Sequence, residues 1–444
     1  MTGTETGAGM DATEPGHGAA GGPGAGPGGG SLAPLRHRPF RRLAAGRLLV
    51  YFANAMAPVV LAFAVLDATG STTDLGIVVG ARSLANVALL LVGGVIADRV
   101  RRTLILQGSA LAAAAVQAAI AASVLLGFTS IPLLVLLSVL NGALAALSLP
   151  ASAALTPQTV PADIIRPANA LMRMGTNLGM IVGASLGGVV AAVLGPGWGL
   201  ACNALAFLGA ACCFFGVSVP ASDGPVPDAE RAHPLRELRD GWREFTSRRW
   251  VWIVVLQFMV VNAVVAGGIQ VLGPVVADDT FGRGVWGAVL AAQMAGAVAG
   301  GFLAARSRAR HALLFGVALT AVESLPLVVL AEAPGALLLG LAMFANGVAL
   351  EQFGVAWDVS LQENIPPDRL ARVYSYDALG SFIALPVGEM AAGPVSGHFG
   401  IRATLIGGAI LIVGATALAL CSGQVRGLVS APRGTPEPAK ASVE

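Results

Sequence analysis

Twelve apolar runs, each about 20 residues long, limit what this chain can become. They lie near 43–66, 75–97, 104–126, 131–153, 171–194 and 198–219, then, past a polar stretch, near 250–275, 285–305, 311–331, 335–357, 375–397 and 401–422. A helix rises ~1.5 Å per residue, so a run of about 20 residues crosses a ~30 Å hydrocarbon layer. Lipid offers no partner to backbone N–H and C=O groups, so such runs span as helices. The expected fold class is an all-α integral membrane protein of twelve transmembrane helices. With 55% hydrophobic and 12% charged residues, the chain is too apolar for a soluble protein of 444 residues. A net charge of +2 gives no reason to expect a nucleic-acid partner. Cys202, Cys212, Cys213 and Cys421 lie in apolar runs without ligand spacing, and no phosphate loop or nucleophile motif occurs. No enzyme activity, metal or cofactor is expected.

The turn Gly93–Thr103, GGVIADRVRRT, sets one acid beside three arginines between two apolar runs. It reads as a tight loop at a membrane surface. Residues 1–33 are Gly-, Pro- and Ala-rich, without apolar bulk, and read as a disordered cytoplasmic tail. A basic patch, Arg36, His37, Arg38, Arg41, Arg42 and Arg47, precedes the first span and holds the N-terminus in the cytoplasm. With that orientation the arginines collect in the inside loops, and Asp67, Asp74, Asp278, Asp279 and Glu332 in the outside ones. The expectation is a multi-pass protein of the plasma (inner) membrane with both termini cytoplasmic. Its parts are six-helix halves at 34–219 and 250–422, a cytoplasmic linker at 220–249 and a second tail at 423–444. In the linker, Leu235, Leu238, Trp242 and Phe245 recur at helical spacing between arginines, which describes an amphipathic helix on the lipid surface.

The halves repeat each other. Gly93–Thr103 matches Gly300–Arg310, and Asn141-Gly142 matches Asn346-Gly347. Val160–Asp163 matches Ile365–Asp368, and Asn54-Ala55 matches Asn262-Ala263, all at offsets of 205 to 208 residues. Six spans per repeat keep the orientation, so the halves relate by a pseudo-twofold along the membrane normal, a plan used by one class of secondary transporters.

Gly94-x-x-x-Asp98-Arg99-x-Arg101-Arg102 resembles the loop between helices 2 and 3 of the major facilitator superfamily. Gly179-x-x-x-Gly183-Ala184-x-x-Gly187-Gly188 resembles its antiporter motif, with Ala184 in place of the usual proline. Trp357–Ser375 is similar to the loop between helices 10 and 11 in the siderophore and macrolide exporter branch. The resemblance implies that Gly94, Asp98, Arg99, Arg101 and Arg102 form a conformational gate. It also implies that Gly179, Gly183, Gly187 and Gly188 form a close contact between spans 5 and 8. Ser138 stands near the position of the drug–proton antiporters' helix 4 arginine, and Asn54 where the exporter branch often has an acid.

Ionisable groups at membrane depth mark function or a fixed packing pair. Here they are Arg82, Glu323, Glu351 and Glu389. Asn54, Asn141, Asn262 and Asn346 fall in spans 1, 4, 7 and 10, the cavity-lining helices of the superfamily, and serve either a polar cavity or interhelical bonding. Together these eight residues are the expected substrate or proton path, with Glu351 foremost. Large apolar residues on the same spans, among them Phe52, Phe258 and Phe353, suit an amphipathic ligand if they face the cavity. The expected activity is secondary active export of an amphipathic small molecule (a drug, secondary metabolite or siderophore) by alternating access. Membrane lipid is an expected partner, protons are the candidate coupling ion, and a monomer is expected. Uptake of a metabolite, or a non-transporting membrane receptor or scaffold, are the alternatives.

Overall fold

The computed structural model of the protein describes residues 32–99, 102–161, 164–217, 243, 245–306, 311–332 and 335–428. Each expected span is a helix: α1 (Arg38–Thr69), α2 (Thr72–Arg99), α3 (Arg102–Leu125), α4 (Ile131–Leu155), α5 (Ile165–Val193) and α6 (Pro196–Phe215). The second half supplies α7 (Arg249–Asp279), α8 (Arg283–Arg306), α9 (Ala312–Glu332), α10 (Ala336–Asn364) and α12 (Ile401–Cys421). Between the last two lies α11, in two segments, Pro367–Phe382 and Leu385–Phe399. Prolines open several of these helices, including Pro39 in α1, Pro132 in α4 and Pro196 in α6, where a missing N–H costs nothing. Gly195 and Gly400 hold φ near +88° and +84° before α6 and α12, a left-handed turn that excludes a side chain. These glycines are repeat-related, so the repeat extends to the turns.

Alternation along twelve spans leaves the α1 start and the α12 end on one face, here the terminal face; the α1–α2 and α7–α8 turns lie on the far face. The apolar core divides accordingly. Toward the far face one continuous cluster joins both halves, with Met56, Phe63 and Leu75 of the first half packed among Leu272, Trp286 and Leu327 of the second. Toward the terminal face there are separate cores. Phe40, Leu43, Leu106 and Phe214 belong to the first half alone, and Trp250, Phe353, Trp357 and Leu361 to the second. Among the described residues the apolar core joins the halves toward the far face only.

The close backbone contacts between halves lie toward the far face as well. α2 packs on α11 where Gly76 and Gly80 meet Glu389 and Met390, and α5 packs on α8 where Gly188 meets Gly287. α7 is irregular at Ala266–Leu272, a π-helical stretch whose Gly267 admits the Gly388 carbonyl of α11. An i→i+5 stretch of this kind is common at functional sites. Of the linker helix, Leu235, Leu238 and Trp242 lie outside the described residues, as do the tails at 1–31 and 429–444. Phe245 is buried, its ring centroid 5.9 Å from that of Tyr376.

Candidate functional site

A cavity of about 300 Å³ opens inside the first half between α1, α2 and α4, with α3 and α6 behind it. Its polar wall comes from helix periodicity. Arg47, Tyr51 and Asn54 are spaced i, i+4, i+7 on α1, and Arg82 and Asn86 i, i+4 on α2, so each set shares one face. Asn141 and Ser148 of α4 close the wall opposite. Arg82 donates from Nε to Asn141 Oδ1 at 3.0 Å and from Nη2 to Asn54 Oδ1 at 3.4 Å, tying three helices through one guanidinium. The Arg47 guanidinium lies 5.7 Å from the Tyr51 ring centroid, and its buried Nε has no hydrogen-bond partner. Leu106, Leu144, Met180, Phe207 and Phe214 form the rest of the wall.

Of the eight path residues, three meet here: Asn54, Asn141 and Arg82. Asn262 and Asn346 do not line this cavity. Asn262 donates to the Ser381 carbonyl of α11 at 2.9 Å, and Asn346 accepts from Gln293 of α8 at 2.8 Å. These two amides bond helix to helix, because the facing helix of their half supplies a backbone carbonyl or a neutral amide. Glu323 is buried on α9, outside the cavity wall, with Oε1 unpartnered. Glu351 faces the other half: its Oε1 lies 3.9 Å from Arg173 Nη2 on α5, a side chain 80% exposed. Glu389 is fully buried in the α2–α11 contact, within electrostatic reach of Arg82 and beside Ser83. Phe258 and Phe353 stack at 4.3 Å and join the second half's own core, so they are not a ligand wall.

The glycine motif differs from expectation in its partner. Added side-chain atoms at Gly179 and Gly183 would meet the α1 backbone at Leu48 and Phe52, and at Gly187 they would meet Met56. Only Gly188 faces α8, at Arg283 and Gly287. A spacing of four keeps 179, 183 and 187 on one face, while one further residue turns ~100° onto the next. The motif therefore seats α5 on α1 first and touches the other half through its last member. Of the gate, Gly94, Asp98 and Arg99 fall in the last turns of α2 and Arg102 begins α3. Their side chains, and all of Arg101, lie outside the described residues.

At the far face, Arg283 clamps both halves. It donates to Asp67 of α1 at 2.5 and 2.9 Å and to Asp278 of α7 at 2.7 and 2.8 Å. Its guanidinium also sits 5.0 Å from the Phe63 ring centroid. In the sequence Asp67 and Asp278 stand out only as outside-loop acids, with nothing to pair them with Arg283. Arg47 belongs by position to the basic patch, yet its spacing to Tyr51 and Asn54 puts it on their helix face.

Residues 43–388 match the profile described as Major Facilitator Superfamily. No curated protein matches the sequence. Among solved structures the backbone is similar to the nucleoside transporter NupG, at TM-score 0.69 and 12% identity, covering 86% of this chain and 98% of that one. It is also similar to a bacterial homologue of the human lysosomal transporter Spinster, in an inward-facing and unoccupied conformation. There the TM-score is 0.67 and the identity 17%, covering 88% of this chain and 98% of that one. At these identities the likeness is one of fold.

Proposed function

This chain belongs to the major facilitator superfamily, and we propose that it is a secondary active transporter exporting an amphipathic small molecule, with proton entry as the driving step. The observation that carries this reading is the divided core: among the described residues, one apolar cluster is shared by both halves at the far face and two separate clusters lie at the terminal face. Bundles joined at one end only have two arrangements available, joined at either end, and alternating access needs those two. The arginine distribution supports cytoplasmic termini. The far face is then the outer one, and the cavity is loaded from inside.

The cavity's mixed wall supports an amphipathic ligand: arginines and amides on α1, α2 and α4, aliphatic and aromatic groups behind. Glu389 supports coupling. It is buried where α2 meets α11, so parting of that contact would bring its carboxyl to outer water and closing would withdraw it. Asp98 and its arginines are on the cytoplasmic side, where a latch would act in the opposite state. The test is accumulation of a compound panel by inside-out vesicles with and without an inward-acid gradient. Gradient-dependent accumulation supports export, and accumulation only in right-side-out vesicles would reverse the direction.

A further inference from the structure

The cavity in the first half is cationic. Arg47 and Arg82 both line it, and none of its lining residues is acidic. Among the described residues neither arginine forms an ion pair. Arg82 is held by two neutral amide oxygens, and Arg47 lies over Tyr51 with its Nε unpartnered. Glu389, across the contact with α11, acts on Arg82 electrostatically but stays beyond ion-pair distance. A guanidinium fixed by neutral acceptors keeps its full charge and its remaining N–H donors for a ligand. In an apolar-walled cavity that charge is held at a cost which an anion would relieve.

We infer that the cavity seats the anionic group of its substrate, a carboxylate, sulfonate or phosphate on an apolar body, with Arg82 as the deep seat and Arg47 nearer the mouth; this rests on the reading of the cavity as the substrate site. The geometry gives each arginine a part. Arg47 precedes Asn54 by seven residues, about 10 Å along α1 toward the terminal face, so an entering anion meets Arg47 before Arg82. The planar guanidinium fork matches two oxygens of such a group. Leu106, Leu144, Met180 and Phe207 face the apolar body. An organic cation would meet two like charges and no lining carboxylate.

Three probes share one ring system and carry an anionic, a neutral or a cationic substituent: 2-naphthoate, 2-naphthamide and 2-naphthylmethylammonium. Their binding is measured by equilibrium dialysis on the full chain in phosphatidylcholine nanodiscs. Naphthoate should bind at least tenfold more tightly than the amide, and the ammonium most weakly. Arg82→Gln should lower naphthoate affinity at least tenfold and Arg47→Gln at least threefold, with naphthamide changed less than twofold. The amide thus reports an intact cavity in each variant, and the three-probe ranking needs no variant at all. Equal affinity across the probes, preference for the ammonium, or no naphthoate binding overturns the assignment. A lipid phosphate could use the same donors, so a second set of nanodiscs adds phosphatidylglycerol. Unchanged naphthoate affinity supports a soluble anion, and competition by that lipid overturns the substrate assignment. Transport is read separately in inside-out vesicles. Naphthoate that binds but never accumulates refutes export while leaving the anion seat standing, and export of the ammonium alone does the reverse.

Discussion

Asp67→Asn should loosen the far face by a predictable amount. Asp67 is the partner of Arg283 that crosses between halves, since Asp278 belongs to the same half as Arg283. The substitution therefore removes the bridging pair without orphaning a cation, because Arg283 keeps Asp278. The Arg283 side chain is 20% exposed but that of Asp67 is 44% exposed, so the pair is screened well below a buried one. Bidentate geometry places it toward the upper end of exposed pairs, about 1 kcal/mol, or a factor of about five in the closed-to-open ratio. The reporter is Thr73→Cys in a background lacking the native cysteines. Thr73 is half-buried with its backbone against Gly393 in the α2–α11 contact, and its cysteine should react with a maleimide faster when that contact parts. In nanodiscs the Asp67→Asn labelling rate should rise about fivefold. At 1 M salt, where the Debye length falls to ~3 Å, the difference should shrink. Asp74→Asn, which removes an acid with no ion pair among the described residues, is the charge control. An unchanged rate in Asp67→Asn, or an equal rise in Asp74→Asn, would refute the clamp.

Gly183→Ala drives a methyl into the Phe52 carbonyl of α1, so thermal unfolding in detergent should show a loss of about 1–3 kcal/mol, while Gly407→Ala, in open space, should show none. Gly188→Ala crowds Gly287 across the halves, at 2.8 Å from its Cα, and should raise Thr73→Cys labelling as Asp67→Asn does. Glu389→Gln should abolish gradient-driven accumulation in vesicles while downhill exchange persists, and retained pumping would remove Glu389 from the proton path. Arg402→Gln breaks the exposed pair with Glu332, 72% and 45% accessible, and its thermal unfolding should match that of the parent protein.

The spans were legible in the sequence because lipid leaves an apolar run of about 20 residues one solution, and every expected run is a helix within a few residues of its place. Partners were less legible than positions. The glycines of α5 were read as one patch against one neighbour, yet a single residue separates the α1-facing row from the α8-facing Gly188. Arg47 counted as a topology signal because it sits near the start of the apolar run. α1 starts at Arg38, which carries Arg47 into the helix and onto the cavity wall. The Arg283 clamp could not be read at all. Asp67 and Arg283 lie 216 residues apart, and only the joining of the far face brings them together.

The repeat explains why the cavity is charged in one half only. Asn141 and Asn346 are repeat-related, and each accepts a hydrogen bond from the neighbouring helix of its own half. In both halves the glycine that follows, Gly142 or Gly347, lets that neighbour's backbone approach closely at the donor residue itself, Arg82 or Gln293. The packing is thus conserved between the copies while the donor differs: a guanidinium in the first and a neutral amide in the second. A neutral amide spent on that bond keeps an N–H and its oxygen but offers a ligand no charge. The guanidinium uses the same acceptor and still has charge and donors to spare. The second copy keeps the scaffold and supplies acids at other places, Glu351 toward α5 and Glu389 against α2. Charge of opposite sign on the two halves makes their approach and separation electrostatically unequal. A substrate anion at Arg82 and a proton at Glu389 would each weaken the attraction between them, which ties binding, titration and rocking to one pair of residues.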